Sequence, residues 1–425
     1  MLLEDLRNRH VTVWGNGKEG HAVTVYLEKR NCTVKVVEDP VTESLSGVVV
    51  KSPGVSIYRR EVRMAKQYGT LFTSGTNLFM EACLLLPEER PFLIGVTGTK
   101  GKSTTSSLIA HLLREQGNRV ALCGNIGFPA ISYADNLEAY DCVVVELSSY
   151  QCADLKYGFD VSVVLNLYPE HIDWHQTHEN YYHDKLNLLR VRSPDQVAVL
   201  NANNGTLAFN TRDEKNVVLY DNLAGIHVEN GYFYDGYDKL FPSTMLPLRG
   251  EHNLSNICAA LTAIKEAGGD LMRCESALHT FEPLPHRIEE VALKKGVRYV
   301  DDSISTTPES AMAAMKTYPN TNIILIAGGF DREQDYNELA DFCVKNEVKV
   351  LAMHQTGERL ADAIVSRGGY VRISNDMEEA VKYAASLARP GDVILLSPAA
   401  PSYGVYTNFE ERGDIFKKSA LSLED

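Results

Sequence analysis

FLIGVTGTKGKSTT, at residues 92–105, places a short apolar run directly before a glycine-bearing loop that ends in Gly-Lys-Ser. Apolar residues at helical spacing from 108 to 113 then predict a helix. A strand, a glycine loop and a helix in this order are typical of a phosphate site. Glycines let backbone N–H groups converge on phosphate oxygens, and the start of a helix adds partial positive charge. The residues predicted to hold a nucleotide are Gly98, Thr99, Lys100, Gly101, Lys102, Ser103 and Thr104.

Two side chains of this loop indicate ATP with Mg²⁺. Lys102 can reach the β- and γ-phosphates, and the Ser103 hydroxyl can ligate the metal ion. The spacing is GxxGKS, because position 96 is Val where the longer GxxxxGKS form has Gly. The order of strand, loop and helix still favours a phosphate loop over a chance glycine turn.

The fold class follows from short β-branched runs that alternate with helical patterns, which predicts parallel sheets with crossover helices. The predicted strands lie at 10–15, 33–38, 47–50, 92–96, 142–147, 161–167, 297–301, 323–327, 348–352 and 392–396. Residues 205–245 look like a β-rich excursion, and proline-bounded stretches at 87–91 and 281–285 look like linkers. We therefore predict an α/β protein of three domains: a Rossmann-like domain at 1–90, a P-loop-type ATP-binding domain at 91–284 and a second Rossmann-like domain at 285–425.

Bulk composition excludes several classes of function. The net charge of -14 gives no basic excess to neutralise phosphates, so we expect no nucleic-acid partner. The chain has no apolar run of about 18 residues and no basic, apolar leader at its start, so we expect neither a membrane span nor secretion. The eight cysteines are scattered without a CxxC pair, which favours free thiols in a reducing cytoplasm.

A second glycine turn follows the first predicted strand. Residues 15–20 read Gly-Asn-Gly-Lys-Glu-Gly, which has the GxGxxG form of a dinucleotide turn. This signal is weak when it stands alone, because a tight strand-to-helix turn without a ligand has the same form. A dehydrogenase function would rest only on this turn.

The phosphate loop resembles the ATP loop of the Mur ligases and of their folylpolyglutamate synthetase relatives. These families join a carboxylate to an amine through an acyl phosphate. The other motifs follow in the family's order and cover the chain almost end to end. They are GNIG at 124–127, ELSSYQ at 146–151, LNLYPEHIDWH at 165–175, GEHNLSN at 250–256 and PHRIE at 285–289.

This resemblance implies roles around the metal ions. Glu146 and His171 would ligate Mg²⁺ together with Ser103, and His171 would also lie beside the reacting carboxylate. Asp173 would orient His171, as carboxylates do for metal-bound imidazoles. Lys185 matches a lysine that is carbamylated in several Mur ligases, although an ordinary surface lysine remains the alternative.

The resemblance also implies contacts to nucleotide and acceptor. Asn125 would lie between the two, and Asn256 would contact adenine. Asn253 would either share that contact or cap its helix. Arg287 would bring a bidentate guanidinium to the ATP phosphates, and Asp302 would hold the ribose or the hinge.

The C-terminal motifs resemble the glutamate-adding, MurD-type branch of the family. SPAAPS at 397–402 is followed by NFEERG at 408–413. By this resemblance Ser402 and the Phe409 backbone would hold the side-chain carboxylate of glutamate, and Arg332 and Thr306 would hold its α-carboxylate. The first domain of this branch binds UDP, which would make Gly15, Asn16, Gly17 and Lys18 substrate contacts.

The implied function is ATP-dependent addition of glutamate to UDP-N-acetylmuramoyl-L-alanine by a monomeric cytoplasmic enzyme. D-Glutamate is the family default. Three departures from the branch pattern, at Ile304, Thr307 and Arg332, surround the incoming amino acid and keep L-glutamate as the alternative. Two rival functions stay open: that of another Mur or folylpolyglutamate-type ligase, and that of a nucleotide-binding regulator without ligase activity.

Overall fold

The structure is a computed structural model that describes all residues except 1–4, 7–8, 42–43, 87–89, 245, 249 and 425. It divides into two compact units, residues 1–281 and 282–425. The unit boundary falls in the predicted linker at 281–285, whereas three residues of the linker predicted at 87–91 lie outside the described residues. The division of the first unit at residue 90 stays a prediction.

The first sheet opens the first unit and is parallel throughout, in the order β2-β1-β3-β4. Its strands are β1 (His10–Trp14), β2 (Thr33–Val37), β3 (Val48–Lys51) and β4 (Leu71–Thr73). Its helices are α1 (Lys18–Glu28), α2 (Arg60–Gln67) and α3 (Gly75–Leu84). Valines of β1 and β3 pack against the apolar faces of α1 and α3, which is why these strands are β-branched.

The second sheet has six parallel strands in the order β10-β9-β8-β5-β7-β6. Its strands are β5 (Phe92–Thr97), β6 (Val120–Gly124), β7 (Cys142–Glu146), β8 (Val161–Val164), β9 (Val197–Asn201) and β10 (Val217–Tyr220). The central strands are apolar along their whole length because helices cover both faces. The carboxyl ends of β5, β6, β7 and β8 therefore meet at one edge, where a ligand site is expected.

The helices of this part include the one predicted from the apolar stripe. They are α4 (Lys102–Glu115), α5 (Ser149–Ala153), α6 (Ile172–His175), α7 (His178–Lys185), α8 (Asn187–Arg190), α9 (Gly205–Asn210), α10 (Glu251–Glu266) and α11 (Cys274–His279), with 3₁₀ turns at Ala130–Tyr133 and Leu137–Ala139. An antiparallel sheet of β11 (Ile226–Glu229), β12 (Tyr232–Asp235) and β13 (Asp238–Pro242) supports the β-rich prediction for 205–245. That prediction was wrong at its start, where Asn204 caps α9 through its side chain.

The second unit contains a six-stranded sheet in the order β14-β15-β19-β16-β17-β18, antiparallel only at β14. Its strands are β14 (Glu289–Lys294), β15 (Val297–Asp301), β16 (Ile323–Ala327), β17 (Lys349–Met353), β18 (Val371–Ser374) and β19 (Val393–Leu396). Its helices are α12 (Pro308–Lys316), α13 (Asn337–Lys345), α14 (Gly357–Val365), α15 (Met377–Leu387) and α16 (Phe409–Leu421). The two parallel sheets of the first unit and the mainly parallel sheet of the second unit confirm the predicted α/β class. Within the described ranges, no helix has both the length and the apolar character to cross a bilayer.

Candidate active site

The phosphate loop lies between β5 and α4, as the sequence predicted. Gly101 has a φ of +84°, which favours glycine, and it forms the start of α4. A Cβ atom added at Gly98 would lie 2.8 Å from the Cβ of Leu165. Both glycines are therefore required by the path of the backbone, and they bring the loop close to the end of β8.

Asn166 holds one side of this loop. Its backbone oxygen accepts from the Thr99 N–H at 3.0 Å, and its Oδ1 accepts from the Lys100 N–H at 2.8 Å. Its Nδ2 donates back to the Lys100 oxygen at 3.1 Å. These two N–H groups are thus already bonded, so phosphate binding is expected from the backbone at 101–104. Asn166 was not among the predicted site residues, although an amide directly after a buried strand was a possible signal.

The two lysines of the loop have different surroundings. The Lys102 Nζ donates to the Thr99 oxygen at 3.0 Å, at the inner side of the loop. Lys100 forms an ion pair with Glu170 at 2.5 Å, and its side chain is 45% exposed. Lys102 therefore suits the predicted phosphate contact better than Lys100 does.

Glu146 ends β7, directly opposite Val96 of β5 in the sheet register. It is completely buried, and its Oε1 accepts from Asn125 Nδ2 at 2.8 Å. Among the residues that the structure describes, its Oε2 has no hydrogen-bond partner. An ionised oxygen buried in this way is costly unless a cation reaches it. The residues present therefore fit Mg²⁺ beside the loop, with Glu146 and the Ser103 hydroxyl as oxygen ligands.

Asn125 and His171 complete this edge. The side chain of Asn125 holds Glu146, and its predicted place between nucleotide and acceptor stays a prediction. His171 adopts φ +56° and begins α6, with a side chain that is 45% exposed. Its ring lies 5.2 Å from that of Tyr150. Burial, with Lys185 and Lys102 nearby, lowers the pKa of His171 against the opposing effect of Glu170, which favours the neutral imidazole that binds metals.

A carboxylate other than Asp173 lies beside His171. Glu170 Oε2 lies 3.7 Å from the His171 Nε2, whereas no described hydrogen bond joins Asp173 to this ring. Glu170 is thus a second carboxylate near this ring, and the orienting role of Asp173 stays a prediction. The left-handed backbone at His171 turns the chain here, which spacing along the sequence could not indicate.

Lys185 lies at the end of α7 and is 2% exposed. Its Nζ donates to the Gly98 oxygen at 3.0 Å and contacts the Thr97 Oγ1 at 3.5 Å. Burial, with Lys102 as a second cause, lowers the pKa of Lys185 to about 7. It is therefore not an ordinary surface lysine, and its neutral amine is present at physiological pH.

Two further predicted contacts belong to this unit. Asn256 lies against the loop, because a Cβ at Gly101 would collide with its Oδ1, and its Nδ2 donates to Asn253 Oδ1 at 3.1 Å. Asn253 does not cap α10, since Gly250 occupies the N-cap. The adenine contact predicted for Asn256 stays a prediction.

The glycine turn at 15–20 connects β1 to α1. Gly15 has φ +105°, and a Cβ at Gly20 would collide with the Gly15 oxygen, so the helix packs tightly on the strand. Asn16, Gly17 and Lys18 are exposed, and Gly17 leaves the start of α1 without a side-chain cap. This open turn fits a phosphate-bearing ligand; the role itself stays a prediction.

The predicted contacts of the second unit lie at the carboxyl ends of β15, β16 and β19, which are adjacent. Gly328 N–H donates to the Pro398 oxygen at 2.7 Å, and Phe330 N–H donates to the Pro401 oxygen at 2.8 Å. These bonds bring the segment before Arg332 beside the segment before Ser402. The exposed Arg332 guanidinium lies 5.6 Å from the Tyr403 ring centroid. The segments that carry the predicted glutamate contacts Arg332 and Ser402 therefore lie side by side at this edge of the sheet.

Arg412 and Ser303 hold the remaining glutamate-side residues. Ser303 Oγ donates to the Phe409 oxygen at 2.7 Å. The buried Arg412 donates to the Ser303 Oγ, the Ser303 oxygen and the Ala400 oxygen at 2.8–3.0 Å. Thr306 accepts from Gln334 Nε2 through its backbone oxygen. Arg412 lies in the NFEERG motif at 408–413, but the sequence alone did not predict this role.

Arg287 and Asp302 lie in the same unit. Arg287 follows His286, whose Nδ1 is 2.7 Å from Asp301 Oδ2. Asp302 is buried and accepts from Ser397 Oγ at 2.7 Å; burial raises its pKa to about 7. The role of Asp302 at the ribose or at the hinge stays a prediction.

Comparison with known families agrees with these motifs. Residues 96–264 match the Mur ligase middle domain, and residues 286–400 match the Mur ligase glutamate ligase domain. A MurF ligase from Thermotoga maritima, solved in complex with ADP, has a TM-score of 0.63 at 20% identity. The match covers 99% of this chain and 96% of that one, and it shows the same fold.

Curated relatives match over the whole chain. The UDP-N-acetylmuramoyl-L-alanine--L-glutamate ligase of Xanthomonas euvesicatoria pv. vesicatoria is 35% identical over 99% of this chain and 97% of its own length. The protein of the same name from Salinispora tropica is 36% identical, with 99% of both chains covered. These matches leave the dehydrogenase alternative without support. The chain belongs to the Mur ligase family of ATP-dependent ligases.

Proposed function

We propose that this protein joins L-glutamate to the alanyl carboxylate of UDP-N-acetylmuramoyl-L-alanine, with ATP and Mg²⁺, in peptidoglycan precursor synthesis. The observation that carries the proposal is the buried Glu146 oxygen without a hydrogen-bond partner in the described structure, at the strand end next to the phosphate loop.

The chemistry assigned to the first unit is activation of the acceptor carboxylate. Mg²⁺ would offset charge on the phosphates. The loop backbone at 101–104 would hold ATP, and Lys102 would stabilise charge on the transferring phosphoryl group. The alanyl carboxylate attacks the γ-phosphorus and ADP leaves, which gives an acyl phosphate that an amine can attack. The glycine turn at 15–18 would hold the UDP end of the acceptor.

The glutamate side is assigned to the second unit. Thr306 and Arg332 would hold the α-carboxylate, and Ser402 with the Phe409 backbone would hold the side-chain carboxylate. The glutamate amine then attacks the acyl carbon and expels phosphate. Arg287 would meet the ATP phosphates, and the protein would act as a monomer.

The choice of L-glutamate rests on two observations. The relatives that match the full chain are named for L-glutamate, which favours the alternative over the family default of D-glutamate. The three departures at Ile304, Thr307 and Arg332 also follow the ends of β15 and β16. A guanidinium binds a carboxylate through two parallel N–H bonds, unlike an ammonium group, so Arg332 can fix a different α-carbon orientation.

An end-point assay with each glutamate enantiomer tests this proposal. We expect phosphate release with the UDP-linked acceptor to be at least about 100-fold faster with L-glutamate, because the wrong enantiomer displaces the amine from the acyl carbon. Omission of the acceptor controls for ATP hydrolysis. Faster release with D-glutamate would show that the assignment of L-glutamate is wrong. No release with either enantiomer would show that the UDP-linked acceptor and glutamate are not the substrates.

Carbamylation of Lys185 is expected to rise with pH. Only the neutral amine reacts with CO₂, and with a pKa of about 7 roughly half of the amines are neutral at pH 7. At constant dissolved CO₂, we expect a ¹³C carbamate signal that is strong at pH 8 and weak at pH 6. Lys185→Arg should abolish it. An equal carbamate signal at both pH values, or a signal that persists in Lys185→Arg, would show that the carbamate forms on an amine other than that of Lys185.

A further inference from the structure

The segment at 51–58, which follows β3 of the first sheet, packs on the chain around the predicted metal ligands. Trp174 Nε1 donates to the oxygens of Pro53 and Gly54 at 3.2 and 3.1 Å. Ser56 Oγ donates to the Trp174 oxygen at 2.7 Å. Trp174 lies three residues after His171, so these bonds fix the turn of chain that carries this histidine.

Tyr58 adds a buried network to this contact. Its hydroxyl lies 3.0 Å from both oxygens of Asp184, and Asp184 Oδ2 lies 2.7 Å from His175 Nδ1. His175 Nε2 lies 3.0 Å from Ser149 Oγ. With the imidazole proton on Nδ1, Asp184 accepts two hydrogen bonds and the Ser149 hydroxyl donates to Nε2.

Ser149, His175 and Asp184 have the arrangement of a hydrolase triad, yet their surroundings exclude that role. All three are almost completely buried, so no substrate reaches the hydroxyl. The network instead joins three segments of the site. Ser149 begins the helix after Glu146, His175 ends the short helix that follows His171, and Asp184 directly precedes Lys185.

The 51–58 segment also contacts the carboxyl end of α5, the helix after Glu146. The buried Lys51 Nζ lies 2.8 Å from Asp154 Oδ2, and Asp154 caps α5 at its carboxyl end. The next residue, Ser52, returns to the glycine turn: its N–H donates to the Trp14 oxygen at 2.8 Å, and its Oγ lies 3.5 Å from the Gly15 oxygen.

We propose that the 51–58 segment positions the metal-ligand segments, with Tyr58 and His175 as positioning residues that couple the glycine turn to Glu146, His171 and Lys185. The inference rests on the proposed Mg²⁺·ATP site. Groups that hydrogen-bond to metal ligands affect metal affinity by orienting them, and this network acts one step further out, through the segments that carry the ligands. A single hydrogen bond of this kind is expected to change it by about three- to tenfold.

The test compares Tyr58→Phe with a matched control, Tyr157→Phe. The Tyr157 hydroxyl donates to Glu81 Oε1 at 2.8 Å. That bond also joins the first sheet's helices to the second sheet's chain, but it touches no predicted metal ligand. Calorimetry with a non-hydrolysable ATP analogue, at a series of Mg²⁺ concentrations, measures the metal dependence without glutamate or acceptor.

We expect Tyr58→Phe to need about three- to tenfold more Mg²⁺ for half-maximal analogue binding. At Mg²⁺ concentrations below saturation its turnover should fall in the same proportion, while KM for the acceptor stays within about twofold. Tyr157→Phe should match the wild type in all of these. If Tyr58→Phe does not fold, Ser56→Ala takes its place with the same expectation.

Equal Mg²⁺ dependence in the Tyr58 and Tyr157 variants would overturn the inference, even if both lose thermal stability. A wild-type protein whose analogue binding ignores Mg²⁺ would overturn the proposed function instead. The two failures are therefore distinguishable.

Discussion

Lys102→Ala is expected to reduce ATP-dependent phosphate release by at least about a thousandfold, because catalysis of phosphoryl transfer depends almost wholly on positioning and charge stabilisation. Lys102 lies at the inner side of the phosphate loop, with its Nζ on the Thr99 oxygen. Its ammonium group is the cation of the loop best placed for the γ-phosphate. The measurement is steady-state phosphate release with saturating acceptor and L-glutamate.

Lys100→Ala provides the comparison within the same loop. Its amine forms an exposed ion pair with Glu170, and exposed pairs contribute little. We expect its loss to stay within about tenfold. Near-normal turnover of Lys102→Ala, or equal losses in both variants, would remove the phosphate role of Lys102.

Glu146→Gln is expected to give the second-largest loss, about a hundredfold or more in kcat, because it removes the charge of a metal ligand while keeping its shape. The loss should be accompanied by a higher Mg²⁺ requirement. The glutamine side chain still offers an oxygen that can accept the hydrogen bond from Asn125 Nδ2, so we expect the fold to persist. Phosphate release over a range of Mg²⁺ concentrations measures both effects.

Glu81→Gln is the matched control, since Glu81 is another buried glutamate whose partner is Tyr157. We expect it to lower the thermal midpoint and to leave the Mg²⁺ requirement unchanged. If Glu146→Gln shows wild-type Mg²⁺ dependence, Glu146 is a structural carboxylate and the metal assignment is incorrect.

The fold was predictable where local pattern and tertiary burial agree. The β-branched runs of β1, β5, β7 and β19 lie in the centres of sheets, so their composition already identifies them. Strands such as β18, with exposed residues at an edge, carry no such signal. The helix α9 was missed because its capping by Asn204 is a local side-chain bond inside a polar stretch.

The positions of the site residues were predictable where a sequence motif directly follows a buried strand. The loop at 98–104 and the strand end at Glu146 are where the sequence placed them. Contacts that depend on the chain's path were not predictable, including Asn166 on the loop, Glu170 beside His171, and the Tyr58–Asp184 bond across 126 residues. The same is true of the low pKa of Lys185, which arises from burial.

In the proposed mechanism the acceptor carboxylate is phosphorylated at the site around Lys102 and Glu146. The most direct measurement uses acceptor labelled with ¹⁸O in the alanyl carboxylate, followed by mass spectrometry of the released phosphate. If the carboxylate attacks the γ-phosphorus, one ¹⁸O atom per turnover will appear in phosphate. Unlabelled phosphate, released at the rate of peptide-bond formation, would mean that no acyl phosphate forms and would contradict the account.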